Sequence, residues 1–199
     1  IYYRLVKEKG LKGRAIDIGS ASNHEPAEAL VRAGIDAVEM IDIEFHDRTP
    51  YNDRITRIPG NATELVDVLG ENSVEITVFN NSLPFIVAHA GETSIGEELE
   101  RKGEGQLQNL FFFVDVLDRV FAQVHAVLKP NGTLLIATDD DFIEGRGPAV
   151  LRGTNLIESL TRHGFIDIEQ RVIGKYGDRV IISAKKKGIS PLDMAVKTR

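Results

Sequence analysis

The feature that most constrains this sequence is a regular alternation of short apolar runs with amphipathic segments between Ala15 and Ile168. Each apolar run has the length of a strand, and the segments between them have helical spacing, so the pattern predicts repeated strand–helix units. Units of this kind build a mostly parallel sheet with helices on both faces. We therefore expect an α/β fold in the form of a three-layer sandwich.

The length of the chain limits the number of domains. The 199 residues are enough for one domain with a full core and too few for two. We expect a single domain over 1–199, with its core at about 14–185 and a tail over 186–199. The basic run Lys185-Lys186-Lys187 is then a solvated strand end in front of that tail.

Composition excludes several classes of protein. The sequence has no cysteine, which removes disulfides, thiolate nucleophiles and zinc–cysteine sites. Its formal net charge of −6 argues against stable nucleic-acid binding, which depends on clustered Lys and Arg. No apolar run reaches the roughly 18 residues of a membrane span, and the first residues lack the pattern of a secretory signal. We expect a cytoplasmic protein that does not bind a membrane.

The first strand–helix unit contains a glycine turn. The apolar run Arg14–Ile18 is closed by Gly19, and Ser22 or Asn23 is suited to cap the helix that follows, whose first turn tolerates Pro26. A glycine turn at the carboxyl edge of a parallel sheet is where such folds bind nucleotides, because backbone can approach a ligand there. This turn is the first candidate for a binding site.

The remaining elements follow from the same patterns. Asn61, with Glu64 three positions later, predicts a capping box for a short helix, and the stretch around Pro50 predicts a loop. The strongest amphipathic pattern predicts a helix from Leu107 to about Leu128. The last two runs form a hairpin, so the sheet gains an antiparallel member. Further strands are predicted at Ala37–Ile43, Ile55–Ile58, Val74–Phe79, Thr133–Thr138, Ile166–Ile173 and Arg179–Ala184, and a further helix at Asn155–His163.

The glycine turn does not fit a dinucleotide. That fingerprint needs three glycines, and Ile18–Asn23 contains only Gly19, with Ala21 at the position of the second. A cofactor without phosphates does not require the full set.

The segment Ala15–Asn23 resembles the first motif of class I S-adenosylmethionine-dependent methyltransferases, an acid-x-glycine-x-glycine pattern. The resemblance implies a Rossmann-like sandwich with a mostly parallel, seven-stranded sheet and one antiparallel strand near the C-terminus. It also implies S-adenosylmethionine as cofactor. Asp17, Gly19 and Ala21 would then lie against the methionine portion of the cofactor. Ser20 and Asn23 of the same segment are also expected to bind the cofactor.

The same resemblance assigns the rest of the cofactor site. Asp42 matches the acid that binds the ribose hydroxyls after the second strand, with Ile43 beside it, and Glu39 and Glu44 are weaker candidates for the ribose role. Gly60-Asn61-Ala62-Thr63 resembles the third motif, in which an Asn or Asp side chain meets the adenine amino group and a neighbouring amide serves the ring. His125–Ile136 resembles the turn into the fifth strand, with Asn131 in place of a glycine. The resemblance covers Ala15–Ala184.

The segment Asn80–Phe85 stands where this family lines the pocket around the transferred methyl group. It resembles the Asn-Pro-Pro-aromatic motif of enzymes that methylate amino groups, although Pro84 does not follow Asn directly, and turn chemistry also explains it. We expect Asn80 among the cofactor-binding residues. The catalytic residue is not identified, and the candidates are Asn80, Asn81 and His89, the last as a general base.

Several of these residues also have purely structural explanations. Asp17 could bond the amides of its own turn, although a carboxylate in an apolar strand end is costly without a partner. Asn61 could serve only as a helix cap, and Asp42 could be a solvated strand end. The run Asp139-Asp140-Asp141 has the oxygen ligands that magnesium prefers, but we expect no metal because Asn80 stands where the matching acid would be.

The sequence therefore predicts an enzyme, an S-adenosylmethionine-dependent methyltransferase acting on an unidentified small-molecule or protein acceptor. A catalytically inactive methyltransferase fold that acts as a scaffold is the first alternative, because Ala21 and Asn131 replace glycines. An NAD(P)-dependent reductase is the second alternative, although this sequence lacks the glycines that such an enzyme would need. The acceptor, the methylated atom and the oligomeric state do not follow from the sequence.

Overall fold

The computed structural model describes residues 1–21, 23–86, 107–139, 156–173 and 179–188, with only the backbone of 107–114 and 139. The strands in this part of the chain are β1 (Arg14–Ile18), β2 (Ala37–Asp42), β3 (Thr49–Asn52), β4 (Ile55–Pro59), β5 (Val74–Asn80), β6 (Leu128–Asp139), β7 (Phe165–Ile173) and β8 (Arg179–Lys186). The helices are α1 (Tyr2–Lys9), α2 (Glu25–Ala33), α3 (Leu65–Leu69), α4 (Leu107–Val127) and α5 (Leu156–Arg162).

The strands form one sheet in the order β3-β4-β2-β1-β5-β6-β8-β7. The five strands from β4 to β6 in that order run parallel, and β8 is antiparallel to both of its neighbours. The chain order reverses direction across the sheet between β1 and β5, which is where α/β folds open a crevice at the carboxyl ends of the strands. The predicted α/β sandwich with a mixed sheet is confirmed.

The prediction of seven strands is wrong, because the described part of the chain contributes eight to the sheet. The additional strand is β3, which pairs antiparallel with β4 and replaces the predicted loop around Pro50. The side-chain oxygen of Asn52 accepts hydrogen bonds from the amides of Arg54 and Ile55 at 2.8 and 2.9 Å, which fixes the tight turn of this hairpin. All four residues of β3 are exposed, so the strand carries no alternating apolar pattern.

The starts of two helices differ from the prediction. The N-cap residue of α2 is His24, and the side-chain oxygen of Asn23 accepts from the amide of Glu25 at 3.1 Å without capping the helix. The predicted capping box before α3 is wrong. The side-chain oxygen of Asn61 accepts from both the amide and the hydroxyl of Thr63, each at 3.0 Å, in a turn that precedes the helix.

The long amphipathic helix is confirmed as α4, which ends at Val127. The strand after it, β6, begins at once at Leu128, earlier than predicted, so the expected turn lies within the bounds of the strand. Asn131 adopts a φ of +65° there, and the pairing with β5 is irregular opposite the turn. Asn131 thus takes a left-handed conformation, which asparagine adopts more readily than most residues other than glycine.

The sheet has a core on each face. One is formed with α3, α4 and α5 and contains the largest buried side chains of α4, such as Phe121. The other is formed with α1 and α2 and includes Tyr2, Leu5 and Val6. The first helix was not predicted, although one of its faces is buried. Among the helices of the described residues, none combines the length and apolarity that crossing a bilayer requires.

Candidate functional site

An open cleft lies at the carboxyl ends of the parallel strands, and its volume is about 1610 Å³. Typical small-molecule pockets have volumes of roughly 300–1,000 Å³, so this cleft has room for a nucleoside-sized ligand and a second molecule. Eight of the predicted cofactor residues line it: Gly19, Ala21, Asn23, Asp42, Ile43, Asn61, Ala62 and Asn80. Residues far apart in the sequence are thus brought together at one site.

The glycine turn forms the floor of the cleft. Gly19 has a φ of +70°, and its amide donates to the carbonyl of Ile41 at 2.8 Å. A Cβ atom at this position would lie 2.6 Å from the Cβ of Ser82, whose hydroxyl donates to the carbonyl of Ile18 at 2.6 Å. Only glycine fits here, because both the backbone conformation and the close approach exclude a side chain.

Ala21 continues the turn with a φ of +46°, so the alanine that replaces the second glycine still adopts a left-handed backbone. Its amide donates to Oδ2 of Asp42 at 2.8 Å. The other carboxylate oxygen of Asp42 accepts from the amide of Glu44 at 2.9 Å. Asp42 therefore connects the turn after β1 to the turn after β2. Each of its oxygens keeps a lone pair that can accept a hydrogen bond from a ligand.

Asp42 is 7% exposed, so it is not a solvated strand end. Of the two weaker candidates for the ribose role, Glu44 lines the cleft, whereas Glu39 does not. Glu39 is instead an acceptor for the guanidinium groups of Arg14 and of Arg48, the latter at 2.9 Å. Only Asp42 and Glu44 remain in position to meet a ligand's hydroxyls.

Asp17 is fully buried in β1, and neither carboxylate oxygen has a hydrogen-bond partner among the described residues. The structural alternative, in which it bonds the amides of its own turn, is therefore not what the structure shows. Burial raises the pKa of Asp17 to about 7, and the negative charge of Asp42 adds to the effect. Ser20 is also buried, and its hydroxyl has no partner in the described part of the chain.

Two exposed apolar side chains line the cleft. Ile43, directly after Asp42, is 49% exposed, and Phe85 is 73% exposed. Apolar and aromatic side chains beside a few polar groups are typical of small-molecule binding sites. Asn61 and Ala62 lie at the end of β4, beside β2, where they complete this part of the cleft.

The carboxyl end of β5 is tied to the first helix. The hydroxyl of Tyr2 lies 3.1 Å from Oδ1 of Asn80 and 3.3 Å from the carbonyl oxygen of Phe79, and it is placed to donate to either. Asn81 has a φ of +55°, and its side-chain oxygen is buried without a partner among the described residues. Asn80 and Asn81 both line the cleft, and the third catalytic candidate, His89, lies outside the described residues.

The cleft also contains residues that the sequence did not single out. Tyr2 belongs to a helix whose position in the core shows only in the folded structure, and Arg179 begins the antiparallel strand β8, which no motif marks as a site. Arg119 forms a salt bridge with Asp115 at 3.0 Å, and Arg32 forms one with Glu28 at 3.5 Å. The unpredicted lining residues include Ile1, Tyr2, Glu25, Glu28, Arg32, Arg119 and Arg179.

Within the described ranges, no group of three or more acidic or histidine side chains is placed to hold a metal ion. The side chain of Asp139 and the next two residues, Asp140 and Asp141, lie outside those ranges, so this statement does not extend to the Asp139–Asp141 run.

The fold is that of the class I S-adenosylmethionine-dependent methyltransferases. The N-methyltransferase NodS from Bradyrhizobium japonicum WM9 is similar with a TM-score of 0.61 and 14% sequence identity, over 94% of this chain and 92% of that one. The 1,6-didemethyltoxoflavin-N1-methyltransferase of Burkholderia thailandensis, solved with S-adenosylhomocysteine bound, gives a TM-score of 0.58 and 17% identity, over 94% and 76%.

A third similar structure belongs to an enzyme described by a different reaction. The [4+2]-cyclase SpnF gives a TM-score of 0.57 and 17% identity, over 94% of this chain and 80% of that one. No protein-family model matches the sequence, and no curated protein matches it. At these identities the likeness to solved structures shows the fold alone, and the activity has to be argued from the site.

Proposed function

We propose that this chain is an S-adenosylmethionine-dependent methyltransferase with a small-molecule or protein acceptor. The observation that carries the proposal is the convergence of the glycine turn, Asp42 and the Asn61-Ala62 pair on one cleft at the carboxyl ends of the strands. These residues come from three separate segments, and the resemblance gives each of them a role toward the same cofactor. The fold shared with NodS supports the proposal.

The residues of the cleft suit this cofactor. The turn at Gly19 presents backbone to the cleft, which a ligand without phosphates can approach, and a Cβ there would collide with Ser82. Asp42 is the hydrogen-bond acceptor for the ribose hydroxyls, and Ile43 and Ala62 enclose the adenine, with Asn61 at its amino group. Gly19, Ala21 and Asn23 lie along the methionine portion, and Asn80 lies near the methyl group.

When bound, the cofactor would supply a methyl group on a positively charged sulfur, and that sulfur is a good leaving group when a nucleophile attacks the methyl carbon in line. The chain's own contribution is to align the acceptor and exclude water, so no dedicated catalytic side chain is required. Tyr2 and Asn80 form a hydrogen-bonded pair on the cleft wall, where they can orient an acceptor. Asn81 and His89 remain candidates for holding or deprotonating the acceptor.

A catalytically inactive or differently active member of the fold is the main alternative. The [4+2]-cyclase SpnF favours it, because the fold also occurs in an enzyme described by another reaction. Against a degenerate site, both glycine replacements keep the backbone that a glycine would provide, with φ +46° at Ala21 and +65° at Asn131.

Calorimetry with S-adenosylmethionine, S-adenosylhomocysteine and NADPH tests the proposal. We expect both sulfur nucleosides to bind with dissociation constants in the micromolar range and NADPH not to bind. A protein that binds neither sulfur nucleoside is not a methyltransferase of this kind, and selective binding of NADPH would identify a reductase. A crystal with S-adenosylhomocysteine would then show the space beside its sulfur and narrow the class of acceptor.

A further inference from the structure

Among the described residues, Asp17 is the one fully buried carboxylic acid whose two side-chain oxygens both lack a hydrogen-bond partner. An ionised carboxylate in such a position loses its hydration and gains no hydrogen bond in return. Its strand position explains why, since the amides around it are engaged in pairing with β2 and β5. The group therefore depends on a proton or on an arriving positive charge to be neutralised.

The groups around Asp17 do not supply that neutralisation. Asp42 of β2 is negative and makes ionisation of Asp17 harder. Tyr2 of α1 is close enough for its own pKa to be raised by Asp17, after the larger effect of burial, yet its hydroxyl is directed at Asn80 and Phe79. The positive charge of Arg179 in β8 lowers the pKa of Tyr2. The pKa of Asp17 is raised by burial and by the charge of Asp42.

Asp17 is nevertheless close to the cleft. The next two residues of the chain, Ile18 and Gly19, line it, and so do Tyr2 and Asp42, the two groups whose charges interact with Asp17. Burial and Asp42 raise the pKa of Asp17 to about 7, so near neutral pH a small change of local charge decides its state. A cation a few ångströms away favours the ionised carboxylate and lowers that pKa.

We propose that Asp17 holds a proton in the ligand-free protein and releases it to solvent when a cationic ligand enters the cleft. This inference rests on the proposed function, because S-adenosylmethionine brings a sulfonium and an ammonium group. Binding is then an exchange, in which one proton leaves the Asp17 carboxyl as positive charge arrives. The affinity for the cofactor should rise with pH across neutrality.

Titration calorimetry with S-adenosylmethionine in buffers of different ionisation enthalpy measures the protons released. We expect about half a proton released per ligand at pH 7, and an affinity about fivefold higher at pH 7 than at pH 6, a range in which the ligand's ammonium group stays protonated. Asp17→Asn keeps the size of the side chain and removes the titration. It should bind with little proton release at pH 7 and with nearly the same affinity at pH 6 and pH 7.

Asp36→Asn is the matched control, because Asp36 is exposed at the other end of β2, away from the cleft. This variant should keep the wild-type proton release and pH dependence. Wild-type binding without proton release would overturn the inference, as would an undiminished release in Asp17→Asn. Either result leaves the proposed function intact, which fails instead if wild-type protein does not bind the cofactor at any pH.

Discussion

Two buried aspartates at the same edge of the sheet are in opposite situations. Asp42 closes β2, and each of its oxygens holds a backbone amide, from Ala21 and from Glu44. Asp17 lies inside the neighbouring strand β1, more deeply buried, and both of its oxygens are unpartnered among the described residues. Similar burial of the same side chain thus gives one anchored acceptor and one unsatisfied carboxyl.

The difference comes from where each strand ends. After Asp42 the chain turns, so the amide of Glu44 can fold back onto the side chain, and the left-handed backbone of Ala21 directs a second amide toward it. Asp17 is followed by one more strand residue, Ile18, and no amide of the described residues donates to it. Position relative to a turn decides whether a buried carboxylate is held by amides or left without a partner.

Removing the anchored aspartate should cause the largest loss of affinity. Asp42→Ala deletes the proposed acceptor for the ribose hydroxyls and leaves two amides without their partner. We expect the affinity for S-adenosylhomocysteine to fall about a hundredfold, or ~3 kcal/mol, with an additional loss of folding stability. Calorimetry and thermal unfolding measure the two losses separately.

Glu44→Ala is the control for Asp42→Ala, because Glu44 lines the same cleft and was the weaker candidate for the ribose. Its affinity should stay within about threefold of wild type. If Asp42→Ala binds as tightly as wild type, the ribose assignment is ruled out. If Glu44→Ala shows the larger loss, the assignment moves to Glu44.

The turn between the two aspartates should be the next most sensitive element. Gly19→Ala places a Cβ 2.6 Å from the Cβ of Ser82, in a backbone with φ +70°. We expect a loss of about 2–3 kcal/mol in the free energy of unfolding, together with weaker cofactor binding. Urea denaturation measures the first and calorimetry the second.

Gly10→Ala separates strain from crowding. Gly10 has a similar φ of +62°, but a Cβ there would meet nothing within 4 Å. This variant should lose only about 1 kcal/mol, the cost of the backbone conformation itself. Equal losses in the two variants would mean that the contact with Ser82 does not shape the turn.

The sequence was sufficient to predict most of the elements that bury an apolar face, with the exception of α1. The strand β1 with its glycine turn and the helix α4 follow from residue spacing, because burial requires that spacing. The edge strand β3 could not be found in this way, since its four residues are exposed and its pairing with β4 and the turn at Asn52 form the hairpin. An exposed edge strand is defined by its partner, β4, and not by its own composition.

The site was predictable where a motif carries a local conformation, and not where it depends on distant contacts. Gly19 and Asp42 lie in the cleft as the resemblance implied. The bond between Tyr2 and Asn80 joins residues 78 positions apart, and no pattern in either segment indicates it. Asn61 was open to two interpretations from sequence, and its contacts with Thr63 exclude the capping box but leave its role toward a ligand as a prediction.

Removing the unpartnered aspartate should have an effect of opposite sign, a gain in stability that depends on pH. Burial raises the pKa of Asp17 from 3.8 to about 7, so between these values the folded protein holds a proton that the unfolded chain has lost, and stability falls as pH rises. Above pH 7 the wild type bears the full cost of the buried charge. Asp17→Asn should therefore be more stable than wild type by about 4 kcal/mol at pH 8 and nearly equal to it at pH 4.

Urea denaturation at the two pH values checks this prediction, with the exposed Asp36→Asn as the control that should differ from wild type by less than about 0.5 kcal/mol at both. The sign of the effect is the decisive part. A buried carboxylate that was ionised and well hydrogen-bonded, like Asp42, would lose stability on conversion to Asn. If Asp17→Asn is less stable than wild type at pH 8, Asp17 has a partner in solution, and the contrast between the two aspartates is wrong.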